Sequence, residues 1–411
     1  MMKRVLAMVM VALVALTSVD ASARVRSHRR ATHAAPAAAA APAPAPVSND
    51  PNAPFTSPAT HAVIMDGDSG AILYCQNCDA PMPPASMSKL MTVLVVADLL
   101  KAGRLRFDQR LHVSENAWRH GAMSDGSHMF LELNSDVTIR DLLSGVIIVS
   151  ANDACIVLAE GIAGSEDAFV AMMNRRAQEL GLRSAHFMNS TGLPDPQHII
   201  SAADLARLTR YLESNHPELY RLYSQRTFTY NNHTQENRNP LLEGFAGADG
   251  VKTGHTDASG YGLVGSAVQN GHRRIIVFNG MPSMAARRAE SIRMMHAAFD
   301  RFAVTRIAAR GQQVGEAQVW LGSRRTVPLM AKTDIVIGGT RQQQALMTAH
   351  IIYSGPLHPP VAQGAEVARL IVEGPGLPTQ EFPLVAGQRV GKANWFAQAW
   401  EGLHLTLAGG S

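Results

Sequence analysis

The sequence predicts an α/β domain, an antiparallel sheet flanked by helices with an inserted helical lobe, followed by a small all-β domain. Three observations predict it. Strand-like runs open the ordered chain near His61, and helical patterns then fill 138–215. Strands return near 226–230, 251–252, 261–268 and 273–279 and close on a helix over 284–302. From about residue 305 short strand-like runs alternate with turns, the texture of a separate β domain.

The first residues address the chain rather than fold it. Lys3 and Arg4 precede an apolar run from Val5 to Leu16, and Ala21-Ser22-Ala23 is a small-x-small cleavage site. Residues 1–23 thus read as a secretory signal peptide, and the run is shorter than the roughly 18 apolar residues of a membrane span. Residues 24–58 are rich in Ala and Pro and are expected to form a disordered basic linker. The net charge of +4 does not mark a nucleic-acid binder. The signal segment carries +1 and residues 24–50 carry +3, which leaves 51–411 neutral, without the basic face such a partner requires. The chain is therefore expected to be exported, periplasmic, and without nucleic-acid partners.

The catalytic domain is expected over 59–303. His61–Met65 and Ala71–Tyr74 flank the turn Asp66-Gly67-Asp68-Ser69-Gly70 and predict a hairpin at a sheet edge. After Pro81, Pro83 and Pro84, an apolar helix is expected from Ser86 to about Leu100, stopped by Gly103. Thr138 with Asp141 marks a helix start, and further helices are expected over 166–180 and 202–213. The β domain is expected over 304–390, with strands at 317–320, 326–329, 348–353, 367–372 and 381–385. In the tail, 391–411, Trp395, Phe396, Trp400 and Leu403 fall at helical spacing with Lys392 nearby. That segment either lies on the inner-membrane surface or packs on the β domain. Cys75 and Cys78 are open to two readings, a short-loop disulfide or two thiols in a turn, and Cys155 to a buried inert thiol. No cluster of metal ligands is visible, so neither metal nor cofactor is expected.

Three short motifs carry chemistry. Ser86-Met-Ser-Lys89 sets a hydroxyl at a helix start and an amine three residues on, on the same face. A serine needs a base beside it, and a lysine serves once burial and a nearby cation lower its pKa. Ser150-Ala151-Asn152 lies between two helical runs, where a hydroxyl and an amide can relay a proton and grip a peptide group. Lys252-Thr253-Gly254, followed by His255, reads as a strand that lets a substrate backbone approach and offers a cation to a free carboxylate. Alone, each has a bland reading as a cap or a turn. Together they stand in the order of the S-x-x-K, S-x-N and K-T-G signature, 64 and 102 residues apart.

Longer stretches carry the same likeness. Pro84–Thr92, Ser150–Cys155, Asn189–Pro194, Ser201–Asp204 and Gly250–Asp257 resemble the low-molecular-weight penicillin-binding proteins. Val314–Trp320, Val327–Leu329 and Tyr353–Leu357 are similar to the C-terminal domain of D-alanyl-D-alanine carboxypeptidases. The resemblance covers about 60 to 400 and implies a penicillin-binding, β-lactamase-like transpeptidase fold. It also implies a substrate, the peptidoglycan stem pentapeptide, with β-lactam antibiotics as covalent inhibitors. Carried over by motif, Ser86 attacks the D-Ala-D-Ala carbonyl, Lys89 is its base, and Ser150 passes a proton to the leaving amine. Asn152 positions the substrate amide, Lys252 and Thr253 hold the terminal carboxylate, and Arg238 adds charge there. The close approach at Gly254 and the backbone N–H groups of Ser86 and His255 complete the expected site. Ala151 stands where other members of the superfamily carry Asp or Gly. A β-lactamase or a D,D-endopeptidase shares the motifs, but no Glu-x-x-Leu-Asn element lies between Asn152 and Lys252.

Overall fold

The computed structural model describes residues 54–122 and 127–393. The expected signal peptide, most of the linker and the apolar tail positions 395–403 lie outside the described residues. Among those described, no helix is long and apolar enough to cross a membrane.

The catalytic part is built on a five-stranded antiparallel sheet. Its strands are β1 (His61–Asp66), β2 (Ile72–Gln76), β3 (Ala248–Thr256), β4 (Gly260–Gln269) and β5 (His272–Met281). They lie in the order β2-β1-β5-β4-β3, so β3 is a free edge. Val63 stands opposite Val277, and Ile64 opposite Ile276. Successive side chains point to opposite faces. Val63, Met65, Val264 and Val277 accordingly enter one core, while Ala62, Ile64, Leu263 and Phe278 enter another. Both faces are covered, which is why these strands read as continuous apolar runs rather than alternating ones.

The first core is shared with α1 (Lys89–Lys101), α2 (Glu115–Ala122), α3 (Ile139–Ser144), α4 (Asn152–Ala163), α5 (Glu166–Glu179) and α6 (Ala202–Asn215). The second is closed by α7 (Met284–Asp300). Helix α1 is buried at ten of its thirteen positions, so it runs through the lobe as a central post. The helix starts follow their caps. Thr138, Ser165, Ser201 and Ser283 each accept a backbone N–H three residues ahead.

The β domain holds β6 (Ala303–Ala308), β7 (Gln313–Gln318), β8 (Thr326–Ala331), β9 (Ile335–Gly339), β10 (Thr348–Ile352), β11 (Glu366–Glu373) and β12 (Gln380–Ala386). Five of them form a sheet in the order β7-β8-β12-β11-β10, and β6 pairs with β9. Strand β9 lies against the edge strand β2. A Cβ on Gly338 would stand 2.7 Å from the Ile72 carbonyl oxygen.

Three expectations are corrected. Order begins before residue 59. The Phe55 ring packs edge-on against Tyr74 at 4.8 Å, and Ser57 Oγ donates to Glu290 at 2.7 Å. The Phe55 ring and the hydrogen bonds of Ser57 anchor a segment whose composition is otherwise that of a tether. Strands β6 and β9 and a short helix at Arg341–Ala345 have no counterpart in the sequence reading. The Ile335–Gly339 run is only five residues long and ends in two glycines, too brief for a periodic signal. The helix expected from Ser86 begins at Lys89, because residues 85–88 form a 3₁₀ turn. Cys75 and Cys78, left open above, are joined in a disulfide, and Cys155 is buried and free.

Candidate active site

Ser86 sits in a turn that the chain is forced to make. Pro83 and Pro84 precede it, Ala85 adopts a left-handed backbone (φ 49°), and Met87 N–H donates to the Pro84 carbonyl at 3.2 Å. Left-handed backbone costs a non-glycine residue about 1–3 kcal/mol and marks places held for function. Asn279 of β5 donates to the Pro83 carbonyl at 2.9 Å, tying the turn to the sheet. In the 3₁₀ turn positions three apart eclipse, which brings Lys89 under Ser86.

Lys89 is fully buried, and its ammonium is shared among three acceptors. It donates to Ser86 Oγ at 2.9 Å, to Asn152 Oδ1 at 2.7 Å and to the Thr191 carbonyl. Burial lowers its pKa from 10.5 to about 8, and Arg238 pushes the same way. In the neutral state the nitrogen has a lone pair, so the Ser86 hydroxyl can give up its proton to it.

Ser150 and Asn152 arrive from the opposite wall. The helix that starts after Thr138 changes to a π turn at Gly145–Val149, and Ser150 follows in the left-handed region (φ 65°). Such π turns recur at functional sites. The Asn152 N–H donates to the Ser127 carbonyl at 2.7 Å. Asp153, next in the chain, accepts from the backbone N–H groups of Met129 and Leu131, which braces that wall.

Strand β3 forms the third side. Thr253, Gly254 and His255 line the cavity together with Ser86, Ser150, Asn152 and Arg238. The cavity holds about 870 Å³. Gly254 is required by closeness, since a Cβ there would stand 2.8 Å from the Pro84 carbonyl oxygen. Lys252 is buried and donates to the Thr253 carbonyl at 3.2 Å. Its pKa is lowered by burial first and then by Lys89 and Arg238. Arg238 donates to Ser127 Oγ at 3.0 Å. His255 stacks on Tyr261, ring centroids 3.8 Å apart. Asp204 plays no part here; it accepts from Ser184 and Arg207 at the start of α6.

Sequence reasoning noticed the segment 189–194 but gave it no task. Asn189 Oδ1 accepts from the N–H groups of Thr191, Gly192 and Leu193, which aims the Thr191 carbonyl at Lys89. Among the described residues one cluster has metal-ligand types, Cys75, Cys78 and Asp79, and its two sulfurs are spent in the disulfide.

A serine against a buried lysine, an S-x-N wall and a K-T-G edge strand define the class: an active-serine, penicillin-binding acyl hydrolase. The comparisons narrow it. Residues 47–282 match the D-alanyl-D-alanine carboxypeptidase family, and residues 302–395 match the C-terminal domain of penicillin-binding protein 5. The chain is 36% identical over 350 residues to the D-alanyl-D-alanine carboxypeptidase DacA of Haemophilus influenzae, covering 84% of this chain and 89% of that one. It is 32% identical to the enzyme DacA of Escherichia coli, covering 82% and 84%. Penicillin-binding protein 5 from Haemophilus influenzae superposes with a TM-score of 0.69 at 35% identity, over 83% of this chain and 99% of that one. The chain belongs to the D-alanyl-D-alanine carboxypeptidase family of serine peptidases.

Proposed function

We propose that Ser86 opens the bond between the two terminal D-Ala residues of peptidoglycan pentapeptide stems, forming an acyl-enzyme that water then hydrolyses. The observation that carries this reading is the contact of Lys89 Nζ with both Ser86 Oγ and Asn152 Oδ1 at one cavity wall. Lys89, neutral before attack, takes the hydroxyl proton. Ser150 hands a proton to the departing D-Ala amine, and Asn152 holds the peptide amide. Thr253, backed by the charges of Lys252 and Arg238, receives the terminal carboxylate. The N–H groups of Ser86 and His255 take the developing oxyanion. Because β3 is a sheet edge, the substrate can add to it as an extended strand beside Gly254.

β-Lactams mimic that peptide and acylate Ser86. Solved relatives from Listeria monocytogenes, 30% identical with TM-scores of 0.54 and 0.55, are titled as cefotaxime-bound and ampicillin-bound forms. The signal-like start of the sequence supports export and work at the periplasmic face of the wall, and the apolar tail supports contact with the inner-membrane surface. We divide the chain into a catalytic domain from about residue 54 to 302 and a β domain from Ala303 onward.

The test is direct. Wild-type protein is expected to release D-Ala from a pentapeptide and to gain one penicilloyl adduct on Ser86 by mass spectrometry. Ser86→Ala is expected to lose both while melting normally. An adduct that persists in the variant defeats the assignment, and release of penicilloate within milliseconds would make the enzyme a β-lactamase instead.

A further inference from the structure

A second concavity lies on the far side of the wall that carries Asn152. It holds about 410 Å³ and is lined by Trp118, His128, Phe130, Leu133, Asn231 and His233 among others. Neighbouring residues of the same segments line one cavity or the other. Arg119 and His120 line the catalytic cavity, while Trp118 and Gly121 line the second. Ser127 faces the first and His128 the second; Asn152 faces the first and Asp153 the second.

The groove is built as a platform rather than left over from packing. The Phe130 ring stacks on His233 with centroids 3.8 Å apart and meets His128 edge-on at 4.5 Å. Asn231 donates to the Phe130 carbonyl at 3.2 Å, and Gln235 to the His128 carbonyl at 2.9 Å, so the hairpin 227–236 holds these rings in place. Trp118 and Leu133, both lining the groove, are 41% and 42% exposed. The His128 Nδ1 atom is buried and has no hydrogen-bond partner.

We propose that this groove is a saccharide subsite that takes the N-acetylated glycan strand to which the stem peptide is attached. The inference rests on the carboxypeptidase reading above and deepens it. Indole and phenyl faces pack against the C–H face of a pyranose ring, and the imidazole and amide groups suit hydroxyl and N-acetyl partners. Reach agrees. Four extended stem residues span up to about 14 Å from the acylated serine. A helix with its side chains is about 10–12 Å across, and α2 is the element between the two concavities. A stem of that length, seated at Ser86, would be long enough to pass a helix and carry its sugar toward the groove.

The experiment compares two substrates. Trp118→Ala is expected to cleave a free soluble pentapeptide within about twofold of wild type. On polymeric glycan that still carries pentapeptide stems, its kcat/KM is expected to fall about tenfold, mainly through KM, as the loss of one aromatic anchor predicts. Equal loss on both substrates, or none on either, overturns the proposal. A binding measurement guards against a folding defect: glycan stripped of its peptides should change the tryptophan fluorescence of wild type but not that of Trp118→Phe. No change in wild type, or the same change in both, also overturns it. Failure of wild type to release D-Ala from either substrate would instead defeat the carboxypeptidase reading.

Discussion

Lys89 carries the chemistry and also a cost. In the proposed mechanism it acts as a neutral amine, and burial brings its pKa to about 8. Acylation by penicillin is therefore predicted to rise with pH along an ionisation near 8, falling about tenfold per unit below it. The second-order labelling rate between pH 5 and 10 checks this, and a flat profile would refute it. Stability moves in the same direction. The unfolded chain keeps the ordinary value of 10.5, so between about 8 and 10.5 it binds more protons than the fold, and stability rises with pH across that window. That Ser86, Lys89, Ser150 and Asn152 come together was legible because side-chain chemistry recurs at readable spacings. Thr191 was not, because it contributes a backbone carbonyl that any residue could offer. Asn279 was hidden for a different reason: its link to Pro83 spans 196 residues.

At the scale of elements, the site is made where regular structure breaks. The sequence pattern ran helices through 86–88 and 145–149, since apolar periodicity does not separate a 3₁₀ or π turn from an α turn. The strands β3, β4 and β5 were legible, though read as shorter than they are, because their central residues are mostly buried apolar or small ones. Their neighbour, the 189–194 loop, depends on Gly192. That residue has φ 81°, and a Cβ there would stand 2.1 Å from the Ala85 carbonyl oxygen. Gly192→Ala is predicted to cost about 1–3 kcal/mol and to displace the nucleophile turn. A lowered melting temperature together with slower penicillin labelling is expected. Labelling at the wild-type rate would show that the loop yields without moving Ser86.

For the molecule as a whole, the division into an α/β body and a β-rich remainder was legible from texture alone. The way the two meet was not, because it rests on a close approach between β9 and β2 that no periodicity encodes. The sheet has two borders. At one, β3 stays bare beside the cavity, open to an extended peptide. At the other, β2 is shielded by β9 from the β domain. Covering β2 in this way would keep that border from pairing with another chain, while β3 stays open. A protein shortened after Arg301 is predicted to associate in a concentration-dependent way in sedimentation velocity while the full chain does not. If the shortened form sediments as a monomer at every concentration, that cover is unnecessary.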